Sequence, residues 1–177
     1  MFLSAPWRRS AVALFTALAL APAAWSAEKS EGFSAGLKVQ PRATLTDIGL
    51  PMYPGATPDK TGDEGEGASI QLWGGLFGMQ LHTLAFKSGD APDAVARFYR
   101  EAMTRQGPLV DCSADAPPDP PPAAASQSKL LRCGKDRAKP GSHALKVGLP
   151  GGVRMVSIEP DGRGSRIQLV RLMIRGE

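Results

Sequence analysis

Between Asp90 and Gln106 the apolar residues Val95, Phe98, Tyr99, Ala102 and Met103 recur at three- and four-residue steps. That spacing draws a single apolar stripe along an α-helix. Arg97, Arg100, Glu101 and Arg105 fall on the opposite, solvated face. Asp90 has the side chain of an N-cap, and Pro92 and Asp93 suit a first turn. Gly107 supplies a left-handed C-terminal cap, and Pro108 prevents continuation. A stripe of this kind needs a core to face, and the other patterned segments of the chain alternate apolar with polar residues, as strands do. The expected fold class is therefore α+β: a single domain with an antiparallel, twisted sheet and one main amphipathic helix, about 91–106, packed on one face.

The strand candidates follow from alternation and from the breakers between them. Residues 68–86 read as two strands joined through the Gly74-Gly-Leu-Phe-Gly78 bend. Further strands are expected at Leu109–Cys112, Lys129–Cys133, His143–Val147, Val153–Glu159 and Arg166–Ile174. The last two flank Pro160-Asp-Gly-Arg-Gly164, a hairpin turn by composition. Pro51 and Pro54 push their preceding residues toward extended geometry, so 47–56 reads as an extended arm ending in a turn, with Leu50, Met52 or Tyr53 facing the core. Residues 27–46 are polar and mixed and are expected to be a flexible lead-in to a domain at 47–177. Residues 114–126 are a proline-rich loop of low complexity. The acidic loop at 58–67 begins with calcium-loop spacing at Asp59, Thr61 and Asp63. Glu64 then stands where an EF-hand needs glycine and Ile70 where it needs glutamate, which argues against a calcium site.

The N-terminus has a different character. Arg8 and Arg9 precede an uncharged, largely apolar stretch from Ala11 to Ala21, followed by Pro22 and the small residues around Ala24-Trp-Ser-Ala27. This is the layout of a secretory signal peptide at 1–26, cleaved near 26/27. The apolar stretch is too short for the roughly 20 residues of a membrane span. No cysteine near the cleavage zone offers a site for acylation. Removing residues 1–26 takes away two basic residues and no acid, leaving 19 basic against 17 acidic. A nearly neutral chain lacks the concentrated basic face of a nucleic-acid binder. The expected location is periplasmic or secreted, with no transmembrane helix after cleavage. In an oxidising compartment the two cysteines, Cys112 and Cys133, read as a disulfide rather than a redox pair or a zinc site, because their spacing matches neither pattern.

Several short motifs recur together from Leu50 onward. They are Leu50-Pro-Met-Tyr-Pro-Gly-Ala56, Val95-Ala-Arg-Phe-Tyr-Arg100, Gly107, Cys112, Cys133, Val156-Ser-Ile-Glu-Pro-Asp-Gly162 and Gln168-Leu-Val-Arg-Leu-Met-Ile-Arg-Gly176. In this order they resemble a group of exported bacterial proteins of unknown function. In that group a Tyr-Pro-Gly-Ala segment precedes a Phe-Tyr helix, a cysteine pair and a C-terminal strand hairpin. The proline-rich stretch from Asp115 to Ala125 sets this chain apart. The resemblance implies export and architecture and transfers no catalytic residue.

No nucleophile elbow, zinc-binding helix or phosphate-cradling glycine loop is present, so no catalytic, cofactor or metal residue is assigned. The sequence favours a non-catalytic domain that binds a small ligand or a protein partner in the cell envelope, and not nucleic acid. Tyr53, Trp73 and Phe77 are the candidate contact residues. One alternative is a small hydrolase built from scattered carboxylates such as Asp47, Asp63 and Glu159. The other is self-association into a homo-oligomer through a sheet edge or the Trp73–Met79 segment.

Overall fold

A computed structural model describes residues 34–60, 67–118, 131–135 and 137–176. The expected signal peptide, residues 27–33, the tip of the acidic loop and most of the proline-rich loop lie outside the described residues. The strands are β1 (Ala35–Gln40), β2 (Thr57–Pro58), β3 (Ala68–Gly74), β4 (Phe77–Ser88), β5 (Leu109–Asp111), β6 (His143–Leu149), β7 (Gly152–Asp161) and β8 (Gly164–Arg175). They form one eight-stranded antiparallel sheet in the order β1-β3-β4-β8-β7-β6-β5, with β2 paired to β4. Among the described residues two helices accompany it, α1 (Leu45–Ile48) and α2 (Pro92–Thr104). The α+β architecture expected from the alternation is the one observed.

Register decides which side chains share a face. Leu84 lies opposite Leu169, and Phe86 opposite Ile167. Val156 and Ile158 continue these rows into β7, and Leu145 continues them into β6. All are buried, and Val95, Ala96, Tyr99 and Met103 of α2 pack on them. Tyr53 and Phe98 meet edge-to-face with centroids 5.3 Å apart, and Phe98 and Tyr99 do so at 5.1 Å. The helical stripe is therefore core.

The ends of α2 differ from expectation. Ala91 is the N-cap and makes no side-chain cap bond. Pro92 at the first helical position requires an extended residue before it, and Ala91, with ψ 150, is that residue. Asp90 falls just outside and accepts a 2.7 Å hydrogen bond from the Tyr53 hydroxyl. The helix ends at Thr104 with a right-handed cap at Arg105, so Gly107 turns the chain after the helix rather than capping it.

Three further expectations need correction. Residues 35–40, expected in a flexible lead-in, form β1 at the sheet edge. Leu37 and Val39 alternate with Lys38 and Gln40, and this period-two signal pairs with Ile70 and Leu72 of β3. The extended arm starts with a helical turn: Thr44 caps α1 through a reciprocal box with Asp47, and Gly49 closes it with φ 73. The strand expected at Lys129–Cys133 is not one over its described residues, 131–133. There Leu131 lies against Gly148, Arg132 accepts a 3.0 Å bond from Lys146 Nζ, and Cys133 is tied to Cys112. The segment lies across the face of the sheet opposite α2.

The expected disulfide is present, with Cα atoms 5.2 Å apart and both residues buried. Closing a loop of this length is worth about 3 kcal/mol by the chain-entropy argument. The β7–β8 hairpin turns at Gly162 and Arg163, inside the Pro160–Gly164 motif.

Candidate binding site

The helix-bearing face changes chemistry part-way along its strands. Beyond Leu84 and Leu169 the next cross-strand row is Ser69, His82, Arg171 and Arg154. This polar row lies under α1. Arg171 Nη1 donates to the carbonyl of Asp47 at 2.8 Å, and Arg154 Nε donates to that of Ile48 at 2.6 Å. Two arginines of the sheet thus satisfy carbonyls at the C-terminal end of α1, which carries no basic residue in its own last turn. Burial and the neighbouring Arg171 lower the pKa of Arg154 from its ordinary value. Gly49 is required here, because Arg154 occupies the space a Cβ would take.

Ser69 Oγ, His82 Nδ1 and Arg171 Nε are buried without a hydrogen-bond partner among the described residues. Three such atoms in one row are unusual, since a buried polar atom normally finds a partner. The carboxyl of Asp47 is close enough to feel both His82 and Arg171. Its oxygen Oδ2 accepts from the Thr44 amide and hydroxyl, each at 2.7 Å. Those bonds, with smaller contributions from His82 and Arg171, hold its carboxyl below the usual carboxylate range.

Past this row the sheet is uncovered by either helix, and a depression of about 390 Å³ opens. Gln71, Gln80, Arg171, Met173, Arg175 and Trp73 are among its lining residues. Trp73 is opposite Gly36 across the β1–β3 ladder, and its indole lies where a Cβ on Gly36 would be. The glycine lets the ring lie flat over the edge strand, so one aromatic face forms a wall. Gly78, opposite both Trp73 and Arg175, keeps the floor low.

The three expected contact residues are not brought together. Trp73 is on the helix-bearing face. Phe77 is opposite Gly74 and so, by strand alternation, on the other face of the same hairpin. Tyr53 stands at the start of α2, bonded to Asp90 and packed on Phe98. The Asp90 bond, then burial, raises the pKa of its hydroxyl. Phe77 belongs instead with a run of exposed apolar side chains that includes Leu37, Val39, Leu72 and Leu76.

The fold also assembles a serine, a histidine and a carboxylate that no spacing reveals. His143 of β6 lies 3.2 Å from Ser113 Oγ through Nδ1 and 2.8 Å from Asp93 Oδ1 through Nε2. The burial is inverted relative to a hydrolytic triad: Ser113 is buried, whereas the Asp93 side chain is 88% exposed. A nucleophile must reach substrate, and an orienting carboxylate works best shielded from water. This trio links α2, β6 and the segment after Cys112. Asp111 supports the same corner by accepting from Ser113 N and from Arg100. Burial alone would raise its pKa, but the bonds from Ser113 and Arg100 outweigh that and lower it.

Among the described residues no three of His, Cys, Asp or Glu group as metal ligands, and no helix is long and apolar enough to cross a membrane. Compared with family models, curated proteins and solved structures, the chain matches none.

Proposed function

We propose that this chain is an exported, non-catalytic domain, periplasmic or secreted, that binds a small ligand in the depression beside Trp73. One observation carries the reading. A flat aromatic wall, two carboxamides and two guanidinium groups converge where the sheet is left uncovered, next to buried polar atoms that lack partners. Ligand sites commonly combine an apolar surface with a few convergent polar groups in this way. The N-terminal charge and hydropathy pattern and the cysteine pair support export. The order of motifs, similar to that of exported bacterial proteins without assigned activity, supports it too.

Two measurements test the proposal. Fractionation of cells making the full chain should place a product beginning at Ala27 in the periplasm or medium; retention of intact chain in the cytoplasm would refute export. An NMR titration with small molecules from the cell envelope should shift the Trp73 indole N–H together with the side-chain amides of Gln71 and Gln80. Shifts clustered anywhere else would refute the site.

Exposed Leu37, Val39, Leu76 and Phe77 favour a second reading, self-association through β1 and the β3–β4 hairpin. Sedimentation equilibrium tests it: a species that stays monomeric at millimolar concentration removes it.

A further inference from the structure

We propose that the depression beside Trp73 selects organic anions, namely a carboxylate or phosphate carried on a ring-shaped body. This rests on the binding site proposed above and adds the class of ligand. The argument begins with charge. Several basic side chains elsewhere are matched by acids: Arg100 with Asp111 at 2.8 Å, Arg166 with Asp59 at 2.8 Å and Lys87 with Asp161 at 3.1 Å. Arg171 and Arg175 line the depression without an ion pair among the described residues, and no Asp or Glu lines it with them. Asp47, the acid whose charge Arg171 feels, is already committed to the Thr44 amide and hydroxyl. The local charge is therefore positive on a chain that is nearly neutral once its signal is removed.

The second strand of the argument is preorganisation. The Arg171 guanidinium is anchored through Nη1 by the Asp47 carbonyl, with its Nε buried, while Arg175 beside it is exposed. An arginine held in place loses little side-chain entropy when an anion arrives, and its planar fork matches carboxylate or phosphate oxygens. Gln71 and Gln80, directly opposite each other on β3 and β4, add amide donors and acceptors to the floor. The third strand is shape. The Trp73 indole is fixed over Gly36 and offers one face, and the Met173 thioether adds a soft apolar contact. A ring stacked on the indole directs an attached anionic group toward the arginines. The volume of about 390 Å³ lies at the small end of ligand-sized cavities.

Trp7, Trp25 and Trp73 are the three tryptophans of the chain, so the full chain carrying Trp7→Phe and Trp25→Phe has one indole N–H signal, at the site itself. The probes are benzoate, glucuronate and phenyl phosphate, set against the neutral rings benzyl alcohol and glucose. The expected result is saturable movement of the Trp73 signal by at least one anion. Its matched neutral ring should bind at least about tenfold more weakly, a difference of roughly 1.4 kcal/mol. Carboxylates acting without phenyl phosphate assign a carboxylate ligand, and the reverse assigns a phosphate.

Two variants guard against a structural artefact. Arg175 is exposed, so Arg175→Gln should weaken the anion about tenfold with an unchanged melting temperature. A Cβ at Gly78 meets nothing closer than 3.7 Å, so Gly78→Val should fold normally, intrude on the floor of the depression and weaken the anion about tenfold. Equal binding of anions and neutral rings at Trp73 overturns anion selectivity and leaves the binding site standing. Saturable binding with no response at Trp73, or no binding by any probe, overturns both. Anion binding unchanged in Gly78→Val and Arg175→Gln overturns the assignment of these residues.

Discussion

The two ends of the helix-bearing face are made by the same strands and behave as different materials. Under the two helices, β4 and β8 present Leu84, Phe86, Ile167 and Leu169, all buried. At the uncovered end they present Gln80, Met173 and Arg175, with His82 and Arg171 marking the boundary. The boundary also coincides with the reach of the elements above it. α1 covers only the boundary row, and α2 packs on β5, β6, β7 and β8. Neither helix covers that end, and among the described residues it carries Gln71, Gln80, Arg175 and the amphipathic Trp73. One half of the face belongs to the core; the other carries the binding site proposed above.

That division can be broken by mutation. Leu169→Ala, under α2, should cost about 2–5 kcal/mol in urea unfolding, as truncation of a fully buried leucine does. Arg175→Ala at the other end should change stability by no more than about 0.5 kcal/mol. Similar losses at the two positions would show that the open end is structural as well.

Cys112→Ser together with Cys133→Ser, or simple reduction, comes next at about 3 kcal/mol. The loss should appear as a lower midpoint in denaturant. It should leave ligand-induced shifts of the Trp73 signal intact in the protein that remains folded, because the bridge lies outside the depression.

Gly49→Ala acts on the boundary between the halves. Its left-handed φ of 73 costs a non-glycine residue about 1–2 kcal/mol, and a new Cβ would displace the Arg154 guanidinium. The expected readout is a modest fall in melting temperature together with altered NMR signals for Arg171 and Trp73. Loss of stability without those changes would uncouple α1 from the site.

The smallest effect concerns pH. The carboxyls of Asp111 and Asp47 have lowered folded-state pKa values, so below neutral pH the native state binds fewer protons than the unfolded one. Their stabilising contribution is complete well above the ordinary aspartate value of about 4 and is lost as pH falls through the lowered values. Asp111→Asn should therefore destabilise at pH 7 and converge on the parent protein in acid. A gap between the two that persists or widens toward pH 2 would contradict the assignment.

The helix, the two hairpin turns and the period-two strands were legible because each depends on residues within a dozen positions of one another. The same holds for the capping box at Thr44 and Asp47, a local signal that the prolines after it obscure. The edge strand Ala35–Gln40 was hidden by its polar surroundings, although its alternation of Leu37 and Val39 was present. The site was not legible in the same sense. The sequence marks Trp73, but Gln80, Arg171 and Arg175 join it only through the β3–β4 and β4–β8 ladders. His143 gives no sign in the sequence of its meeting with Ser113 and Asp93, which lie 30 and 50 positions away.

What the sequence by itself determined is local: where the chain turns, which stretch is helical, which residues alternate, and the presence of two cysteines able to pair. Each of these follows from backbone sterics and side-chain periodicity acting over short distances. Only the tertiary structure decided that β8, the last strand, runs beside β4 at the centre of the sheet. That register aligns His82 with Arg171, places Gly78 against Arg175, and leaves one end of the face beyond the reach of α2. Strand order is set by how the apolar rows pack against a single helix, a sum over contacts between distant residues that no window along the chain contains.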